Sequence, residues 1–224
     1  MISRELTTTI EWVAGDHASV AQWDYDTTSD NLAYHKVWRQ TQLEFSESFD
    51  QADWGYWYWT TKNVGDLTYQ SGADRDVRGA FENNGKLGNT KDTNFRPINQ
   101  DYPVFGFSRD LGSVTSSVST LYTIGLTQEQ AIQFDGQSGV VPLSSLWTSY
   151  FSSETDAVSS TFLPIPSCKA KYLRFHSSTV ITALPAPNLP HLMARLQVIP
   201  SPLEDETTSP LPPSPPDKHS EQPN

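Results

Sequence analysis

The chain has 224 residues, a single cysteine and a formal net charge of −11. Binding to nucleic-acid phosphates needs clustered Lys and Arg, so this charge argues against a nucleic-acid partner. Cys168 alone can form neither an internal disulfide nor a cysteine-ligated metal cluster. No apolar stretch approaches the roughly 20 residues that span a bilayer, so no membrane partner is predicted.

Strand signals dominate the chain up to about residue 150. ASVAQWDYD and NLAYHKVWRQ flank a polar TTSD segment, which predicts a hairpin. In TQEQAIQF, Thr127 and Gln130 fit a helix capping box, but AIQFDG also fits the return arm of a hairpin, which we favour. VVPLSSLWTSYF is predicted to leave the sheet. The other predicted strands are TTTIEWV, DWGYWYWTT, DLTYQS beyond a KNVG turn, YPVFGFSRDLG beyond the polar loop NNGKLGNTKDTN, and VSTLYTIGL.

Short strands separated by frequent turn signals, without a long helical period, predict an all-β fold. We expect an antiparallel β-sandwich over residues 1–158. The composition then changes, because 13 of the 16 prolines lie from Pro164 onward and no glycine follows Gly139. Residues 159–224 are therefore predicted to be an irregular, largely disordered Pro-rich tail.

The run DWGYWYW, residues 53–59, holds five aromatic side chains. On a strand, Trp54, Tyr56 and Tyr58 would line one face, and Trp57 and Trp59 the other. Neither face is polar, so both need a cover. The rings could pack in the core, which we favour because each buried ring contributes a few kcal/mol. They could instead form a platform for stacking on sugars, or one face could meet the core while the other meets a neighbouring domain.

Motifs for catalysis and metal binding are missing from the sequence. GxSxG, SxxK and HExxH do not occur, and the five histidines are scattered. We assign no catalytic residue, metal ligand or cofactor. Two acid pairs, Asp74 with Asp76 and Asp50 with Asp53, have the residue type needed by a glycosidase, but surface acids explain them more simply. Arg75 and Arg78 either bind a carboxylate or serve as structural ion-pair partners.

Six runs follow one another in the chain: IEWVAGD, FSESFDQADWGYWYWTT, YQSGADRDVR, GKLGNTKDTNFR, DYPVFGFSRDLGSV and LYTIGLTQEQAIQFDG. Together, over residues 8–158, they resemble the N-terminal, non-catalytic region of the secreted fungal glutaminase A family. The resemblance implies a β-sandwich preceding a helical (α/α)-barrel catalytic domain, hydrolysis of L-glutamine to L-glutamate and ammonia, and no cofactor. The family is secreted, whereas MISRELTTTIEWV lacks the apolar core of a signal peptide, so localisation is left open. The change after residue 158 leads us to expect a truncated gene product or one altered by a frameshift or a read-through intron.

We therefore predict an accessory N-terminal β-sandwich domain of a glutaminase A-like protein, with the catalytic domain outside this chain and its own enzymatic status left open. The alternative is an autonomous carbohydrate-binding module. The expected partner is the catalytic helical barrel, and an exposed aromatic surface would favour self-association. Candidate residues for a substrate or domain interface are Trp54, Trp57, Trp59, Arg75 and Arg78.

Overall fold

A computed structural model describes residues 1–5, 19–48, 51–162 and 177–183. The predicted strand TTTIEWV, Asp50, His17 and Cys168 lie outside the described residues, as does the Pro/Ser-rich end of the chain. No helix in the described part is long and apolar enough to cross a membrane.

Twelve strands lie within these ranges, together with two α-helices. In chain order the strands are β1 (Ile2–Glu5), β2 (Ala21–Thr27), β3 (Leu32–Arg39), β4 (Glu47–Ser48), β5 (Gln51–Ala52), β6 (Tyr56–Lys62), β7 (Leu67–Ala73), β8 (Pro103–Arg109), β9 (Val118–Thr127), β10 (Gln130–Gly136), β11 (Gly139–Ser144) and β12 (Ser177–Ala183). The helices are α1 (Asp74–Asn84) and α2 (Glu154–Ser159), and single 3-10 turns cover Leu146–Ser149 and Ser160–Phe162.

Most strands belong to two antiparallel sheets. The larger sheet has the order β12-β9-β6-β3-β2, and the smaller has the order β1-β8-β7. Two further pairs stand outside both sheets, β4 with β5 and β10 with β11. The backbone of β12 extends the larger sheet along β9, within the region predicted to be irregular.

The two sheets face each other across one aromatic core. Strand β3 alternates as expected, with Ala33, His35 and Val37 buried and the intervening side chains partly exposed. The larger sheet contributes bulky inward side chains from β2 and β6, and Phe105 and Phe107 of β8 meet them from the smaller sheet. Since full burial of a large apolar side chain contributes about 1.5–3 kcal/mol, this cluster is the main stabilising feature of the domain. The predicted all-β sandwich is confirmed.

Helix α1 was not predicted from the sequence. Asp74 and Asp76 lie in its first turn, where carboxylates complement the positive end of the helix dipole. Val77 is its buried residue. It packs in a small cluster with Val104 of β8 and with Leu87 of the loop that follows the helix. Gly85 ends the helix in the left-handed conformation, at φ 68°, and donates its N–H to the Phe81 carbonyl.

The connections between strands confirm some predictions and correct others. The hairpin around TTSD is confirmed, because β2 pairs with β3 from Ala21↔Arg39 to Thr27↔Ala33. The KNVG turn, in contrast, carries the chain from one sheet to the other, so β6 and β7 are not paired. AIQFDG is a strand, but it is the first arm of a hairpin with β11 and not the return arm of a hairpin with β9. Gly139, at φ 111°, reverses the chain into β11, so VVPLSS lies outside both sheets, as predicted, but it does so as a strand.

Candidate functional site

Strand β6 carries the aromatic run, but it starts later than the alternation predicted. Gly55 has φ +107°, and a Cβ atom there would lie 2.4 Å from the carbonyl oxygen of Thr127. This backbone conformation favours glycine, so it interrupts the strand before Tyr56. Trp54 therefore lies ahead of β6, where it is buried and its ring centroid is 5.2 Å from that of Phe45.

The inner face of β6 consists of Trp57 and Trp59. These side chains are only 3% and 2% exposed. The Trp59 ring lies 4.8 Å from the ring of Phe107, and the Trp57 ring 6.3 Å from the ring of Phe105. Trp54 is buried as well, so all three tryptophans pack inside the domain, as the sequence analysis favoured. Rings packed between two sheets have no face to offer a sugar.

His35 lies beside these rings, completely buried in the core. Its Nε2 is 3.1 Å from the carbonyl oxygen of Gly106, which links the two sheets. Burial lowers the pKa of the imidazole to about 4. A neutral ring with the proton on Nε2 therefore donates to Gly106, and Nδ1 has no hydrogen-bond partner within the described part of the chain. This histidine has the surroundings of a core residue, and its role is structural.

The outer face of β6 carries Tyr56 and Tyr58, which meet a network of charged and polar groups. Lys36 Nζ lies 3.7 Å from the Tyr56 ring centroid and 2.8 Å from Glu154 Oε2. The same carboxylate oxygen accepts a hydrogen bond of 2.8 Å from the Tyr58 hydroxyl, and Oε1 accepts one of 2.7 Å from Thr127. We call Lys36, Tyr58, Thr127 and Glu154 the outer-face network.

Helix α2 reaches this second face of the aromatic strand through Glu154. Ala157 and Val158 are buried, and Ser153 Oγ caps the helix by accepting the N–H of Asp156. Burial, reinforced by the carboxylate of Glu154, raises the pKa of the Tyr58 hydroxyl, which therefore remains a hydrogen-bond donor. The chain thus supplies its own cover for both sides of β6.

Arg75 and Arg78 lie on α1, away from the aromatic strand. Arg75 is highly exposed and pairs with Asp101 at 3.2 Å and with Asp76 at 3.5 Å. Arg78 pairs with Asp74 one turn earlier on the helix. The acid pair suggested for glycosidase chemistry is therefore engaged with arginines. Exposed ion pairs of this kind contribute only about 0.2–1 kcal/mol each.

Asp53, from the other suggested acid pair, is also engaged. It is buried, it accepts a hydrogen bond from Ser46 Oγ, and it lies 3.4 Å from Arg39 Nη1. A buried carboxylate beside a buried guanidinium holds the loop before β6 against the end of β3. The pair serves packing in this structure, and its position inside the fold gives a substrate no access.

A polar cleft of about 280 Å³ lies between the start of α1 and the loop before β8. The charged side chains that line the cleft form ion pairs with one another or with Asp24 of β2. Arg96 is buried and donates to Asp92 at 2.6 Å and to two backbone carbonyls, and Lys91 pairs with Asp24 at 2.8 Å. No group of three or more metal-ligating side chains occurs among residues 1–5, 19–48, 51–162 and 177–183.

Comparison with known proteins identifies the family of this domain. The model of a family described as a domain of unknown function, DUF5127, matches residues 6–175. The chain belongs to the DUF5127 family. The chain is similar to glutaminase A of Aspergillus oryzae, with 57% identity over 149 residues. It is also similar to a probable glutaminase of Arthroderma benhamiae, with 30% identity over 157 residues.

These matches cover 66% and 63% of this chain. They cover 22% and 18% of the two relatives, so the DUF5127 chain spans about a fifth of their length. No solved structure matches the chain. The resemblance to the fungal glutaminase A family is confirmed.

The outer-face network escaped the sequence analysis. Its members come from β3, β6, β9 and α2, and Lys36 is separated from Glu154 by 118 positions. Strand alternation places Tyr56 and Tyr58 on one face, but only the register Lys36↔Tyr58 and Tyr58↔Gly125 brings the other members beside them. No local pattern predicts that register.

Proposed function

We propose that this DUF5127 domain is the non-catalytic accessory β-sandwich of a glutaminase A-like protein. It would lie against a helical-barrel domain that hydrolyses L-glutamine to L-glutamate and ammonia. The observation that carries the proposal is the 57% identity over 149 residues to a protein named glutaminase A, of which this region is 22%. Identity at this level, extended over a whole domain, supports a shared role for that domain.

The disposition of charged groups supports a non-catalytic role. A general acid or base needs a side chain that reaches the substrate in a suitable protonation state. In the described ranges, Asp53, Asp74 and Asp76 form ion pairs, and His35 is enclosed by aromatic rings. The alternative of a sugar-binding module finds no support in Trp54, Trp57 and Trp59, which are buried.

A domain exchange tests the proposal. The matched segment of Aspergillus oryzae glutaminase A is replaced by the aligned 149 residues of this chain, and ammonia release from glutamine is measured. We expect the chimera to retain activity within about tenfold of the parent enzyme, and the isolated chain to release no ammonia. Glutamine turnover that rises in proportion to the concentration of the isolated chain would refute a non-catalytic role. Full activity and stability of the parent after deletion of the segment would refute the accessory role.

A further inference from the structure

The β10–β11 hairpin presents an apolar face whose side chains are about half exposed. Its register pairs Ile132 with Leu143 and Phe134 with Val141. Because side chains alternate along a strand, these four residues lie on one face of the ribbon. All four are between 43% and 58% exposed. We call Ile132, Phe134, Val141 and Leu143 the hairpin face.

The opposite side of the same ribbon is more polar. It carries Gln133, Asp135, Val140 and Pro142. Exposed apolar residues scattered singly on a protein surface are ordinary, whereas these four are contiguous on one side of the ribbon. The asymmetry between the two sides indicates a partner for one of them.

Hydrogen bonds close the base of the hairpin next to the end of β9, where Gln128 Nε2 also donates to the carbonyl of Trp54 at 3.0 Å. The N–H of Ser145 donates to the carbonyl of Glu129 at 2.7 Å, and the indole N–H of Trp147 donates to the carbonyl of Gln128 at 3.0 Å. Ser145 Oγ donates to the carbonyl of Gln128 as well. A free two-stranded ribbon is marginally stable in water, so these bonds help to keep the hairpin face in one orientation.

The area of the hairpin face shows which kind of partner could cover it: a second copy of the chain or a domain in the same polypeptide. Two strands of about six residues present a surface of roughly 200 Å². Two copies meeting through it would bury roughly 400 Å² in total, well below the 1,000 Å² or so that a specific interface between separate molecules needs. The net charge of −11 also opposes self-association. A partner in the same polypeptide needs far less area, because its effective concentration is high.

The relatives contain such a partner, since about four-fifths of their length lies outside the matched region. We propose that the hairpin face docks onto an apolar surface of the domain tethered to this one in glutaminase A-like proteins. This inference rests on the proposed function. The contact with the neighbouring domain is therefore expected at this hairpin and not at the aromatic strand, whose tryptophans are buried. The hairpin was not identified as an interface from the sequence.

The test uses two double variants of the same ribbon, in this chain and in the chimera described above. Phe134→Ser with Val141→Ser removes apolar groups from the hairpin face. Gln133→Ser with Val140→Ser is the matched control on the opposite side, where Val140 is 60% exposed. Thermal unfolding is followed for all four proteins, together with protease cleavage within residues 130–144.

In the isolated chain, neither double variant should move the unfolding midpoint by more than about 2 °C, because the replaced side chains contact water. In the chimera, the variant of the hairpin face should lower the midpoint of this domain by about 5 °C or more and speed cleavage of the hairpin, while the control should do neither. Equal effects of the two variants in the chimera would overturn the inference. The inference would also be overturned if the variant of the hairpin face lowered the unfolding midpoint of the isolated chain as much as that of the chimera. A chimera that is folded and active but insensitive to both variants refutes the docking alone, whereas an inactive chimera counts against the proposed function.

Discussion

His35 makes the stability of the domain depend on pH. The imidazole is enclosed between the sheets, and burial lowers its pKa to about 4, against an ordinary value of 6.5. Between these two values the unfolded chain binds a proton that the folded chain excludes. The free energy of unfolding therefore falls as the pH is lowered through 6.5 towards 4, and this contribution is fully present only above the unfolded pKa.

The magnitude follows from the difference in pKa. The complete transition corresponds to roughly 3 kcal/mol, and about 2 kcal/mol of it is lost between about pH 7.5 and pH 5. The stability of a domain of this size is only about 5–15 kcal/mol, so a loss of this size is easily measured. Other groups titrate in the same range, so the effect must be measured as a difference from a chain that lacks this imidazole.

The assay is urea unfolding of the wild-type chain and of His35→Gln at about pH 7.5 and pH 5. Glutamine keeps an N–H donor for the Gly106 carbonyl but does not titrate over this range. We expect the wild-type chain to lose about 2 kcal/mol more than the variant on acidification. Equal losses in the two proteins would refute the reasoning. If His35→Gln does not fold, His35→Phe removes the titration while keeping an aromatic ring in the core.

Four further substitutions test the packing. Glu154→Ala removes the acceptor of the outer-face network and should lower the free energy of unfolding in urea by about 2 kcal/mol, with faster proteolysis of the segment containing α2. Gly55→Ala, at φ +107° and beside a backbone carbonyl, should lower the free energy of unfolding by more than about 2 kcal/mol. Gly79→Ala, in the open interior of α1, should raise the midpoint of thermal unfolding by a few degrees. Asp53→Ala leaves the Arg39 guanidinium buried without this partner. It should lower the free energy of unfolding, measured with urea, by about 3–5 kcal/mol. Losses below about 0.5 kcal/mol for Glu154→Ala, Gly55→Ala or Asp53→Ala, or no gain for Gly79→Ala, would contradict these assignments.

The sheets were largely predictable because their signal is local. Alternation between half-exposed and buried residues marks β3, and two adjacent β-prone runs joined by TTSD mark the hairpin with β2. The burial of Trp57 and Trp59 follows from the large gain on covering an aromatic ring. The side of the core on which each strand lies was not predictable, since a turn such as KNVG can either reverse a strand within a sheet or pass it to the other sheet.

The features that failed prediction depend on distant partners. Helix α1 has a single fully buried residue, Val77, so it lacks the apolar period by which a helix is recognised in sequence. The network around Glu154 needs three strands in register before its members meet. The hairpin face looked like an ordinary strand in sequence, because the absence of a covering sheet is visible only in three dimensions.

The partition of consecutive strands between two sheets also has a consequence during synthesis. The tryptophans of β6 are covered by Phe105 and Phe107, which leave the ribosome about 40 residues after the end of that strand. At about 5–20 residues per second, translation of this interval takes about 2–8 s. For those seconds the nascent chain carries its most aromatic strand without the opposing layer, and chaperone binding competes there with misassociation.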